Sequence, residues 1–111
     1  MKINKKLLKI SRTTGWSFNT TYIPQTLGYT NVLKDQTTCF VNLNFRIDIA
    51  ITSANQILIS GLPLPIQRQT FIAVVNSTPI RIYIDEQGNL KNDTANVPTG
   101  YINGNITYPL K

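Results

Sequence analysis

The sequence contains no histidine, a single cysteine and only five acidic residues in a chain of 111. Without imidazole there is no Ser-His-Asp or Cys-His catalytic apparatus and no histidine metal site. Cys39 by itself makes neither an internal disulfide nor a cysteine zinc cluster. Long apolar runs are also missing: the longest are about five residues, as at Phe71 to Val75, far short of the ~20 that a membrane-spanning helix needs. At the N-terminus Lys9 interrupts the apolar stretch after Leu7 and Leu8, where a signal sequence would need an apolar region of ~7–15 residues. No targeting segment and no membrane insertion are therefore expected. The length fits one domain, which at this size buries roughly 60–70% of the surface of its unfolded chain.

The formal charge of +6, from 11 basic and 5 acidic residues, points at first toward a polyanion partner. Its distribution changes that reading. Lys2, Lys5, Lys6, Lys9 and Arg12 lie in the first twelve residues, which hold no acid. The rest carries six basic residues against five acidic ones, a net +1. The division this implies is a short basic arm over residues 1–14 and a nearly neutral domain over 15–111. Within the arm, Ile3, Leu7 and Ile10 share a helical stripe, but about two turns of helix are marginal without a neighbour to pack on. The arm has no aromatic residues among its lysines for base stacking, so a solvated or stalk-forming segment is preferred to a nucleic-acid contact.

What the sequence has in abundance is two-residue periodicity. Cys39, Val41, Leu43, Phe45, Ile47, Ile49 and Ile51 occupy odd positions, with Asn42, Asn44, Arg46 and Asp48 between them. That alternation describes a half-buried strand. Ile80, Ile82 and Ile84 alternate with Arg81, Tyr83 and Asp85 in the same way, and Glu86-Gln87-Gly88-Asn89 supplies a hairpin turn before Leu90. Phe71 to Val75 is apolar on both faces, which predicts a central strand covered on each side. Ile57 to Ile59 and Tyr101 to Tyr108 complete the set, with Asn103-Gly104 expected to mark a bulge or bend. Leu62-Pro63-Leu64-Pro65 reads as an edge or extended crossover, because neither proline donates to a ladder, and residues 92–100 read as a polar loop. Fifteen isoleucines and fourteen threonines favour strands. The predicted fold is all-β, an antiparallel β-sandwich or β-barrel of seven or eight short strands behind the basic arm.

The order of the motifs, Gly15-Trp16, Gly28-Tyr29-Thr30, Val41-Asn42-Leu43, Ile59-Ser60-Gly61-Leu62-Pro63, Ile80 to Asp85 with its glycine turn, Pro98-Thr99-Gly100-Tyr101 and a closing Ile106-Thr107-Tyr108, is suggestive in combination. It resembles the C-terminal head domains of receptor-binding proteins in the tail fibres and baseplates of tailed phages, especially those infecting Gram-positive bacteria, from about residue 15 to the end. The resemblance implies a virion protein whose β head forms a homotrimer, contacts other tail or baseplate proteins and binds a bacterial cell-wall saccharide. Such heads usually end longer chains. With about fourteen residues before the head, either a truncated form or a small separate protein attached through the basic arm fits the pattern.

Saccharides combine apolar C–H faces with many hydroxyls, so their sites pair exposed aromatic platforms with polar side chains that orient the ring. The candidate platforms are Trp16, Tyr29, Tyr83 and Tyr101, and the candidate polar partners are Arg46, Asp48, Arg81, Asp85 and Asn89. Arg81, Tyr83 and Asp85 should share the face opposite the isoleucines, a face that a subunit interface would use equally well. Trp16 beside Gly15 also suits a plug at a barrel end, and Arg46 and Asp48 suit an ion pair. Cys39 reads as a small buried hydrophobe. The five carboxylates fit turns better than a glycosidase pair, so no enzyme activity, metal or cofactor is expected. The alternatives to an adhesin are a purely structural virion module and, third, a small nucleic-acid-binding barrel.

Overall fold

The computed structural model describes residues 10–25 and 27–111, so the helical spacing expected over residues 3 to 10, and most of the arm, lie outside the described residues. Among those residues the chain is all-β, with nine strands and no helix. These are β1 (Ser11–Arg12), β2 (Ser17–Phe18), β3 (Asn31–Lys34), β4 (Thr38–Ile47), β5 (Ile57–Ser60), β6 (Gln69–Val75), β7 (Thr78–Ile84), β8 (Leu90–Asn92) and β9 (Gly100–Pro109). All pairings are antiparallel, in the order β1-β3-β4-β9-β6-β7-β8-β5-β2. The sheet curls until residues near its two ends meet. Phe18 of β2 packs on Phe45 of β4 with ring centroids 5.0 Å apart, although the two strands are far apart in the order. β1 belongs to the segment expected to form the arm, and it pairs with β3 through Ser11↔Lys34 and Arg12↔Leu33.

The alternating strand positions make the core. Val41, Leu43, Phe45 and Ile47 of β4 join Ile102, Ile106 and Tyr108 of β9 and Ile80, Ile82 and Ile84 of β7 on the inner face. Each such burial is worth roughly 1.5–3 kcal/mol against leaving the side chain in water. Cys39 is fully buried among them, and burial raises the pKa of its thiol. Tyr108 reaches the crossover, where its hydroxyl donates to the Pro63 carbonyl at 2.8 Å. The Leu62 to Pro65 segment is an extended connection between β5 and β6, with Pro65 bridging only to Leu110.

Three expectations need correction. The alternating strand stops at Ile47, because Asp48 and Ile49 both turn their amides to the Tyr22 carbonyl, leaving Ile49 exposed and Ile51 in a separate bridge to Val97. β6 is central in the sheet but covered on one face only: Ala73 and Val75 are buried, whereas Ile72 and Val74 are exposed. The described residues form a single curled sheet and place no second layer over its convex side. Asn103-Gly104 marks no bulge, since β4 and β9 stay in register through ten consecutive pairs from Thr38↔Pro109 to Ile47↔Gly100. Gly104 instead admits the backbone of β6, for a Cβ there would lie 3.2 Å from that of Ala73.

Candidate functional site

The convex face of β4 and β9 is built from the polar half of their alternation. Reading across the two strands, the outward pairs are Arg46↔Tyr101, Asn44↔Asn103, Asn42↔Asn105 and Phe40↔Thr107. Asn42 Nδ2 donates to Asn105 Oδ1 at 2.9 Å, and Asn44 Nδ2 donates to Asn103 Oδ1 at 3.3 Å. β3 extends the first of these rungs, because Asn31 pairs with Asn42.

Beside this ladder runs the segment Gly28 to Thr30, held by Asn44. The Tyr29 amide donates to the Asn44 carbonyl at 2.9 Å, and Thr30 Oγ1 donates to the same oxygen at 3.1 Å while accepting from the Asn44 amide at 3.2 Å. Gly28 has φ +106°, and a Cβ there would collide with the Asn44 carbonyl, so glycine is required both for conformation and for approach. The result is an open groove of about 630 Å³ lined by Leu27, Gly28, Tyr29, Asn44, Tyr101 and Asn103. Tyr29 is 83% exposed and Tyr101 41%. Two aromatic side chains thus meet two primary amides in one shallow hollow, a chemistry suited to rings with apolar faces and hydroxyl edges.

Among the sequence-predicted residues, Tyr29 and Tyr101 come together here, and the others serve elsewhere. Trp16 is half-buried, donates from Nε1 to the Thr13 carbonyl at 3.0 Å and meets Phe18 edge-to-face with centroids 5.3 Å apart. Tyr83 is buried, its hydroxyl donating to Asn55 Oδ1 at 2.7 Å and its ring covered by the Arg68 guanidinium at 3.8 Å. Arg81 is exposed and stands 3.9 Å from Asp93, which Arg68 also approaches at 3.7 Å. Asp85 organises the β7–β8 turn: Oδ1 accepts from the amides of Gln87 and Asn89, and Oδ2 from the Asn89 side chain and the Lys91 ammonium at 3.0 Å. Burial works against its charge, but these donors outweigh burial and hold the carboxyl below its ordinary pKa. Arg46 pairs with Asp48 at 2.5 Å, and Asp35 accepts the Thr37 and Thr38 amides, which lower its pKa too. No three potential metal ligands cluster among the described residues.

Sequence reasoning missed Asn44, Asn103 and their neighbours Asn42 and Asn105. The signal was present as two Asn-x-Asn runs, 42–44 and 103–105, on strands that turn out to be partners. No family model matches the chain, and no curated protein sequence matches it.

Proposed function

We propose that the protein is a non-enzymatic adhesin head of a phage tail tip or baseplate, binding a saccharide of the bacterial cell wall through the groove between Gly28-Tyr29 and the β4–β9 ladder. The observation that carries this reading is the meeting of Tyr29, Tyr101, Asn44 and Asn103 in an open hollow on a rigid sheet. The order of sequence motifs supports the phage assignment by resemblance. In the same reading the head is a homotrimer that contacts other tail proteins, and three identical weak sites on one body act together, raising avidity without new contacts.

A glycan array and sedimentation of the protein with purified walls of Gram-positive bacteria test the binding. Saturable retention, released by soluble saccharide, is expected. Sedimentation velocity tests the assembly: three times the 12.5 kDa chain mass is expected, and a monomer at high concentration refutes the trimer. Failure to bind any glycan or wall, with a trimer still formed, favours the structural virion module.

A further inference from the structure

The groove does not end at Asn44 and Asn103. The outward face continues along the strands through Asn42↔Asn105 to Phe40↔Thr107, where a second hollow of about 260 Å³ is lined by Asn31, Phe40, Asn42, Asn105 and Thr107 among others. From the Arg46–Tyr101 row to the Phe40–Thr107 row is six residues, about 20 Å at the rise of an extended strand, enough for roughly four sugar rings in line. Between those rows, β3, β4 and β9 present no ionisable side chain on this face. The outward residues are Asn31, Asn42, Asn44, Asn103 and Asn105, and at the near end Arg46 is paired with Asp48.

The amides keep hydrogen-bonding capacity after pairing with one another. A primary amide carries two donors and an acceptor with two lone pairs. Each rung spends one N–H of the β4 asparagine and one acceptor site of the β9 asparagine. What remains is a carbonyl oxygen on β4 beside an NH2 group on β9, repeated every second residue. A hydroxyl both donates and accepts, so adjacent hydroxyls of a sugar ring match one rung, and successive rings match successive rungs. Among the described residues, an anionic polymer finds no cation on β4 or β9 between those rows to repay the loss of its hydration, and the cation nearest the far end on this face is Arg12 of β1, in register with Leu33 and Phe40.

We propose that the ladder Asn44/Asn103 and Asn42/Asn105 is an extended subsite for a linear, uncharged glycan lying along β4 and β9, continuous with the tyrosine groove. The inference rests on the saccharide reading above and narrows it to a ligand class and a direction.

The test titrates the full chain with linear, uncharged glucose, galactose, rhamnose and N-acetylglucosamine oligosaccharides of two to six rings, and separately with poly(glycerol phosphate). Affinity is read by calorimetry, and the asparagine side-chain amides by NMR. The expected result is that affinity for the preferred series rises with length and levels near four rings, barely changes with salt, and shifts the Asn42, Asn44, Asn103 and Asn105 amide signals together. N42A/N105A should then lose at least tenfold in affinity for the tetrasaccharide and less than twofold for the disaccharide. The fold of that variant is checked by its unfolding midpoint. Three results overturn the proposal while leaving saccharide binding intact: affinity independent of length with Asn42 and Asn105 unshifted, preference for poly(glycerol phosphate) that collapses with salt, or Asn42 and Asn105 signals that shift with protein concentration because a second copy covers the ladder. If none of these sugars nor isolated walls binds, the saccharide reading itself fails.

Discussion

Replacing Asp85 by alanine should destabilise the fold and leave saccharide binding untouched, which separates a turn residue from a ligand residue. Its carboxylate accepts two backbone amides, at 3.0 Å from Gln87 and 2.9 Å from Asn89, as well as the Lys91 ammonium. Hydrogen bonds to a charged partner contribute roughly 1.5–3 kcal/mol each. Both bonds are part-buried, but Glu86 and Gln87 beside them are exposed, so water replaces part of what the variant loses and about 2–4 kcal/mol is the expected loss in total. At about 4 °C per kcal/mol for a domain of this size, the midpoint should fall by roughly 8–16 °C at pH 7. Asp85→Asn should cost less, because one oxygen still accepts both amides while its NH2 opposes the Lys91 and Asn89 donors. Since the folded-state pKa lies below that of the unfolded chain, the carboxylate's contribution is present in full above the ordinary carboxylate pKa of about 3.9 and is lost as pH falls through the lower folded value. The wild type and D85A midpoints should therefore draw together as pH falls below the ordinary carboxylate range. Circular dichroism melts at pH 7 and pH 2.5, with wall binding measured at pH 7, provide the readout. An unchanged midpoint with lost binding would refute the turn assignment and return Asp85 to the ligand site.

Asn92 is fully buried, with Oδ1 accepting from the Gln56 amide at 2.8 Å and Nδ2 donating to the Ser53 and Thr94 carbonyls; Asn92→Leu leaves all three unpaired and should cost about 3 kcal/mol or more in urea unfolding, a loss under 1 kcal/mol being contrary to its role as a clamp. Cys39 should resist thiol reagents in the native protein and react in step with global unfolding, because burial both shields the sulfur and raises its pKa; stoichiometric labelling under native conditions would contradict that. Gly28→Ala should distort the Tyr29 segment through a clash with Asn44 and a strained φ, lowering wall affinity more than it lowers the unfolding midpoint.

Much of the architecture was legible because it follows from period two. β4, β7 and β9 each declare an inner face in their own sequence, and the Asp85 to Asn89 turn is announced by Gly88, whose φ is +82°. β1, β2 and β3 were silent. Two or four residues show no periodicity, and those strands exist because partners offer free edges, as Val41 and Phe40 do to Val32 and Leu33. The covering of β6 was unreadable for a related reason: Ile72 and Val74 look like core residues in sequence, and they are exposed because no second layer among the described residues covers them. The site was half legible. Tyr29 and Tyr101 carry a recognisable chemistry, but their union depends on Gly28 admitting the segment against Asn44. Tyr83 and Asp85 share a strand face with Arg81 in sequence, yet Arg68 covers the first and the turn amides occupy the second, contacts that no local pattern encodes.

The most direct test is retention of the protein on purified Gram-positive cell walls, comparing the wild type with Tyr29→Ala/Tyr101→Ala. Both side chains are substantially exposed, so the variant should keep the wild-type unfolding midpoint. A groove that binds through these rings predicts saturable, sugar-competed retention of the wild type and at least a tenfold loss in the variant, about 1.4 kcal/mol. Equal retention of the two proteins, or no retention of either, would contradict it.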